Sequence, residues 1–139
     1  MKLYGKQIVH PWLCDSMGHL TTRHYMAMFD DAAYHLLSET SGWQPNDTTG
    51  SWQGKGWADV SQRLQYLAEI ASGSLVEIYG KVLKVGNKSI TFALEMREKS
   101  TGKIAATCES TTVYFDLVER KAAPLSAEMG AKISAGLAN

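Results

Sequence analysis

Apolar residues recur along this chain with two different periods, and the change between them divides the sequence. Tyr25, Met28, Phe29, Ala32, Leu36 and Leu37 stand at offsets 0, 3, 4, 7, 11 and 12, the stripe of one helical face. Thr21 or Thr22 suits the N-cap, and Gly42 suits the left-handed position just past the last turn. The pattern therefore predicts a helix of about 19 residues, roughly 28 Å long. Before it, Leu3, Tyr4, Ile8 and Val9 gather around Gly5 as a short strand that Pro11 ends. Between Gly42 and Gly56 the periodicity disappears: Trp43, Pro45, Gly50, Trp52 and Gly54 alternate bulk with flexible backbone, as in a loop or lid.

From Val60 onward the period falls to two. Leu64, Tyr66 and Ala68 form one alternating set in a strand expected over Val60 to Ile70. Val76, Ile78 and Val82 form a second, and Ile90, Phe92, Leu94 and Met96 a third. A last strand is expected from Ile104 to Leu117, where Ala105, Ala106 and Ser110 leave room for a closely approaching neighbour. Gly73, Gly86-Asn87 and Gly102 fall where consecutive strands must reverse, which makes an antiparallel meander the economical topology. Pro124 and Ser126 then open a short helix with Leu125, Met129, Ile133 and Leu137 at four-residue spacing. The apolar face of such a sheet needs a cover, and the long helix is the only element large enough. A sheet curved around the helix and a flat helix-on-sheet layer fit these periods equally well.

Composition narrows the function classes. The 139 residues carry 14 Lys+Arg against 14 Asp+Glu, with a pI near 6.9 and a mean hydropathy of −0.19. No overall field draws the chain to nucleic acid or an anionic membrane, so any anion must be held locally. Neutrality also gives little protection against self-association, and a homo-oligomer is expected. No stretch resembles a leader or a membrane span, and Cys14 and Cys108 fit no zinc or disulfide spacing. A cytoplasmic location with free thiols is expected.

The segment Trp12-Leu13-Cys14-Asp15-Ser16-Met17-Gly18-His19-Leu20 crowds Asp, Ser, Cys and His into the turn before the long helix. A helix N-terminus offers unpaired N–H groups and partial positive charge, which suit a developing oxyanion, and a carboxylate nearby can attack or deprotonate water. Asp15 or Ser16 can equally cap the turn, and spacing alone leaves both readings open.

Asp15-Ser16-Met17-Gly18-His19, followed by Tyr25, Phe29 and Ala32, resembles the Asp-x-x-Gly-His…Tyr…Phe…Ala signature of hotdog-fold acyl-CoA thioesterases. The likeness is to the 4-hydroxybenzoyl-CoA thioesterase-like branch and extends over nearly the whole chain, including the Val85-Gly86-Asn87-Lys88-Ser89 turn. It implies an α+β hotdog fold: a curved five-stranded antiparallel sheet wrapped around a long central helix, with a short C-terminal helix, in a single domain over 1–139. It also implies hydrolysis of a small or medium acyl-CoA to free acid and CoA, without cofactor or metal. By the same resemblance Asp15 is nucleophile or general base, the Thr22 backbone N–H polarises the thioester carbonyl, and Gly18 and His19 lie beside the substrate. The expected assembly is a homodimer or homotetramer with shared active sites, joined along the strand Val60 to Ile70. Many members carry Asn where Thr21 and Thr22 stand, and a further Asp where this chain has Leu13. Trp12…Asp15…Gly18-His19…Thr21 is similar to betainyl-CoA thioesterases, and a quaternary ammonium on the acyl group would find cation–π partners in Trp57 and its neighbours.

Other assignments compete. Cys14 with His19 or His24 as base is a weak nucleophile, since Asp15 beside it raises a thiol pKa. His10, His19, His24 and His35 show no metal spacing. Asp30 and Asp31 fall out of phase with the apolar stripe and suit solvent or an interface. Trp43, Trp52 and Trp57 serve either as cover over the helix end or as an acyl-pocket wall. Arg63, Lys84, Lys88, Arg97 and Lys99 are candidates for CoA phosphates or solvated strand faces. The rival functions are a hotdog dehydratase or hydratase and a non-catalytic acyl-thioester binding protein.

Overall fold

The computed structural model describes residues 1–137. Strand β1 (Lys2–Ile8) and a 3-10 turn (Pro11–Leu13) precede helix α1 (Thr22–Ser41). Then come β2 (Lys55–Tyr66), β3 (Leu75–Val85), β4 (Ser89–Glu98), β5 (Ile104–Asp116), the two-residue β6 (Lys121–Ala122) and helix α2 (Ala127–Leu137). The sheet is antiparallel in the order β1-β3-β4-β5-β2, with β6 paired to β5. One sheet, one long helix and one short C-terminal helix in this order make the hotdog fold.

The 20 residues of α1 begin and end where the capping signals lie. Gly42 takes φ +82° and its N–H returns to the Ser38 carbonyl at 2.9 Å, while the buried Ser41 hydroxyl bonds the Leu37 carbonyl at 2.5 Å. Carbonyls of the last turn are thus satisfied without continuing the helix.

The chain divides into two compact units, one of Met1–Leu36, Arg63–Lys81 and Ala93–Cys108, the other of Leu37–Gln62, Val82–Phe92 and the chain from Glu109. In the first, the helical stripe Tyr25, Met28, Phe29, Ala32 and Leu36 is buried, as are Val76 and Ile78 of β3 and Leu94 and Met96 of β4. Helix and sheet approach closely here. A Cβ on Gly5 would stand 3.5 Å from Ala32 Cβ; one on Gly80 would meet Leu94 Cδ2 at 2.5 Å and Leu36 Cδ1 at 3.0 Å. Gly80 is therefore the point at which a side chain has no room.

In the second unit the loop after α1 is ordered by its own side chains. Asp47 accepts N–H bonds from Thr49, Gly50 and Trp52, and these backbone donors, Gly50 foremost, hold its carboxyl below the usual range. Trp43 is buried and its indole N–H reaches the Lys55 carbonyl at 3.3 Å. Ser126 caps α2 by accepting the Met129 N–H at 3.1 Å, and Met129 and Ile133 supply that helix's buried residues.

Three expectations need correction. The strands do not run as a simple meander: only β3, β4 and β5 are consecutive neighbours, whereas β1 pairs with β3 and β2 lies beside β5, so the turn at Gly73 does not join two adjacent strands. The strand expected over Val60 to Ile70 runs instead from Lys55 to Tyr66, because the Leu67 and Ala68 N–H groups both turn to the Ala105 carbonyl and Ile70 gives its carbonyl to Leu20. The chain beyond Tyr66 thus leaves the regular ladder. The alternation expected there holds only in part: Leu64 and Ala68 are half-buried, but Tyr66 is 51% exposed, since β2 ends the sheet order and among the described residues has a strand neighbour on one side only. Strand β6 left no signal, being a two-residue return made possible by Asp116, whose carboxylate accepts the Val118 and Glu119 N–H groups.

Candidate active site

The connector before α1 folds as a small hairpin. Cys14 and Leu20 form an antiparallel bridge, the Asp15 N–H donates to the His19 carbonyl at 2.9 Å, and the Gly18 N–H donates to the Asp15 carbonyl at 3.0 Å. Gly18 takes φ +80°, the left-handed residue that closes a three-residue hairpin loop. This is the physical reason for a Gly three positions after Asp15. Buried Leu20 anchors the returning strand, and the Thr21 N–H ties back to the Leu13 carbonyl at 3.0 Å, so the chain enters α1 at Thr22 from a fixed direction.

The Asp15 side chain is part of this turn. Its Oδ1 accepts the Met17 N–H at 2.8 Å and the His19 N–H at 3.2 Å, an Asx-turn geometry. Both bonds fall on one oxygen, so it is Oδ1 that holds the turn. Thr22, the first residue of α1, is exposed, and the first N–H groups of any α-helix lack intrahelical partners. No acidic side chain lies in that first turn to neutralise them.

Asp15, Met17, His19, Leu20, Thr22 and Tyr25 line a depression of about 300 Å³, closed on the other side by Tyr66 to Glu69. Tyr25 and Tyr66 meet edge to face with centroids 5.1 Å apart. Burial first, then Tyr66, Glu69 and Asp15, push the Tyr25 hydroxyl above the usual phenol range, so it stays protonated at neutral pH. His19 Nε2 lies 3.3 Å from Glu69 Oε2.

Asp15, His19 and Thr22 thus come together in one depression, with Gly18 shaping the turn. Trp57 belongs to the other unit and does not line it. Its ring meets Tyr114 at 5.1 Å and 55°, and its Nε1 is buried without a hydrogen-bond partner. Cys14 gives its thiol to the His10 carbonyl at 3.5 Å, and Asp30 and Asp31 are exposed. Among the described residues, no group of three His, Cys, Asp or Glu is arranged to hold a metal ion. Sequence reasoning passed over Tyr66 and Glu69 as site residues; neither carries a local motif, and only the fold brings them to Asp15.

A family model of the thioesterase-like superfamily matches residues 9–133. The chain belongs to that superfamily. Thioester hydrolysis is the chemistry after which this family is named, and its turn-and-helix connector lies wholly inside the matched region. Solved structures agree in fold. A hypothetical protein of Staphylococcus aureus in complex with CoA superposes with a TM-score of 0.87 at 15% identity, over 99% of this chain and 85% of that one. A 1,4-dihydroxy-2-naphthoyl-CoA thioesterase from Synechocystis gives 0.77 at 16% identity, over 94% and 93%. A hexameric broad-specificity acyl-coenzyme A thioesterase, solved as an aspartate-to-alanine mutant, gives 0.76 at 18% identity, over 98% and 94%. No protein of curated function matches the sequence significantly. No helix among the described residues of this superfamily member is long and apolar enough to cross a membrane.

Proposed function

We propose that this member of the thioesterase-like superfamily hydrolyses a small or medium acyl-CoA to the free acid and CoA. The observation that carries the reading is the pairing, in one depression, of a carboxylate whose Oδ1 is tied by two backbone N–H groups with the first residue of a long helix. The thioester carbonyl oxygen accepts the Thr22 N–H, which stabilises the charge that develops as the carbonyl carbon becomes tetrahedral. Asp15 Oδ2 either attacks that carbon or takes a proton from the water that does. The C–S bond breaks, the thiolate leaves and is protonated, and water supplies the hydroxyl of the product acid. The protonated Tyr25 and the His19 ring border the reacting group. The neighbours that are CoA thioesterases support CoA as the thiol.

We further infer a cytoplasmic homo-oligomer, dimer or tetramer, in which exposed β2 edges pair and the second copy completes each pocket. The open edge and the exposed Val60, Tyr66 and Leu67 support this, as does the hexameric neighbour. Trp57 is kept as a candidate contact of the acyl group on the family resemblance alone, since it does not line the depression that holds Asp15. If that group is cationic, Trp57→Leu should lower kcat/KM on it far more than on a neutral acyl-CoA of equal size; equal losses remove the aromatic-cage idea and with it the betainyl resemblance. The main test is thiol release from a panel of acyl-CoAs, wild type beside Asp15→Asn. No turnover by wild type on any acyl class favours the binding-protein or dehydratase readings, and undiminished turnover by the variant removes Asp15 from the mechanism.

A further inference from the structure

His19 is tied to its surroundings through both its main chain and its ring. The main chain belongs to the Asp15 turn: the His19 N–H donates to Asp15 Oδ1 at 3.2 Å, and its carbonyl accepts the Asp15 N–H at 2.9 Å. The ring leaves the turn. Nε2 lies 3.3 Å from Glu69 Oε2, while Nδ1 is buried with no partner. Glu69 stands on a segment stitched to the same turn, with the Leu20 N–H on the Ile70 carbonyl at 2.9 Å, the Ser72 N–H on the Gly18 carbonyl at 3.1 Å, and a bridge between His19 and Ala71. The other titratable groups lining this depression are Asp15, Tyr25 and Tyr66.

A neutral imidazole has one N–H and one lone pair, and an ionised carboxylate only accepts. Glu69 therefore selects the tautomer with its proton on Nε2 and holds the ring with Nδ1 inward. Without that acceptor, nothing in the depression repays a buried, unpartnered nitrogen, and the ring gains by rotating toward water. Rotation would loosen the main-chain N–H that fixes Asp15 Oδ1.

We propose that Glu69 is a positioning residue: it fixes the tautomer and orientation of the His19 ring, and through the His19 backbone the orientation of the Asp15 carboxylate. Its catalytic consequence rests on the reading of Asp15 as the reactive carboxylate. With the Glu69 side chain 73% exposed, its replacement leaves the core intact.

The test compares Glu69→Ala and Glu69→Gln with wild type in two measurements. Long-range proton–nitrogen correlation NMR at about pH 8, where imidazole is largely neutral, reads the His19 tautomer; thiol release reads kcat and KM. Glu69→Ala should mix the two tautomers and lower kcat about 5-fold with KM unchanged, the scale of a solvent-exposed pair. Glu69→Gln, whose amide oxygen still accepts from Nε2–H, should keep the wild-type tautomer and most of kcat. A Glu69→Ala ring with the wild-type tautomer overturns the proposal whatever the activity, and so does unchanged kcat beside a changed tautomer. The expected tautomer change in a chain that releases no thiol from any acyl-CoA supports the His19–Glu69 assignment and overturns the hydrolase reading instead.

Discussion

Thr22→Pro isolates the backbone donor on which the proposed chemistry depends. Thr22 is the first residue of α1, the one helical position at which proline is favoured, because the missing N–H has no intrahelical partner and φ near −65° is already helical. The residue before it, Thr21, stands at the cap, where the extended backbone that proline imposes on its predecessor is the normal conformation. The fold should accept the change, with stability altered by at most about 1 kcal/mol, or about 3 °C in Tm for a chain of this size. The oxyanion, however, loses its donor. Loss of one such donor typically costs about 10²- to 10³-fold in kcat, roughly 2.7–4 kcal/mol of transition-state stabilisation. Thr22→Ala removes the hydroxyl but keeps the N–H, and should retain activity within a few-fold. The assay is thiol release at saturating acyl-CoA beside thermal unfolding of the three proteins. Full activity in Thr22→Pro would refute the oxyanion assignment. So would an alanine variant as inactive as the proline one, since the side chain rather than the backbone would then be at work.

The divided role of the Asp15 oxygens separates activity from stability. Asp15→Asn keeps an Oδ1 acceptor for Met17 and His19, so its Tm should fall by no more than about 2 °C. Asp15→Ala loses both bonds and should fall by about 3–7 °C, at 0.5–1 kcal/mol each. Both should lose about 10²- to 10⁴-fold in kcat; equal Tm losses in thermal unfolding would contradict the turn geometry. Gly80→Ala puts a methyl against Leu94 and Leu36, both almost fully buried. It should cost about 1–3 kcal/mol in denaturant unfolding, and an unchanged midpoint would show that helix and sheet do not meet there. Lys55 Nζ, 2.8 Å from Asp116 Oδ2, followed by the Glu119 and Val118 N–H groups, lowers the Asp116 carboxyl to about 2. A folded value below the unfolded one stabilises above about pH 4 and is lost as pH falls from there toward 2. The Tm deficit of Lys55→Met relative to wild type should therefore be full at neutral pH and close toward zero by about pH 2; a deficit independent of pH would remove the ion pair as its cause.

Local patterns were legible where a single element satisfies itself. The α1 stripe and its Gly42 stop were readable because helical periodicity and a left-handed terminator act within a few residues. The inner face of β4 was readable in the same way, as Ile90, Phe92, Leu94 and Met96 are each buried between more exposed neighbours. Strand β2 was legible only in part because, among the described residues, it has a strand neighbour on one side only, so alternation there carries less information about this chain's own core. Its exposed apolar positions are those that the proposed pairing between copies would cover. Asp47 shows the converse. The segment around it has no periodicity, yet one side chain collecting three N–H groups orders it, and capping by Asp is a turn signal rather than a periodic one.

The same distinction explains which half of the candidate site could be read. Asp15, Gly18, His19 and Thr22 lie in one hairpin and the helix start that follows it, so a motif captures them. Tyr66 and Glu69 join through a register set elsewhere. Val9 donates to the Ser74 carbonyl and Gly73 to the Val9 carbonyl, which aligns β1 with the turn before β3. That turn carries Ile70 to Ser72, which in turn hold Gly18, His19 and Leu20. The carboxylate turn is thus suspended between its own glycine and a second turn at Gly73, which needs φ +89°. A short motif is strong where the backbone closes on itself and silent where another segment supplies the restraint. Asp15 was therefore visible from the sequence, while Glu69, the residue facing the ring beside it, waited for the fold.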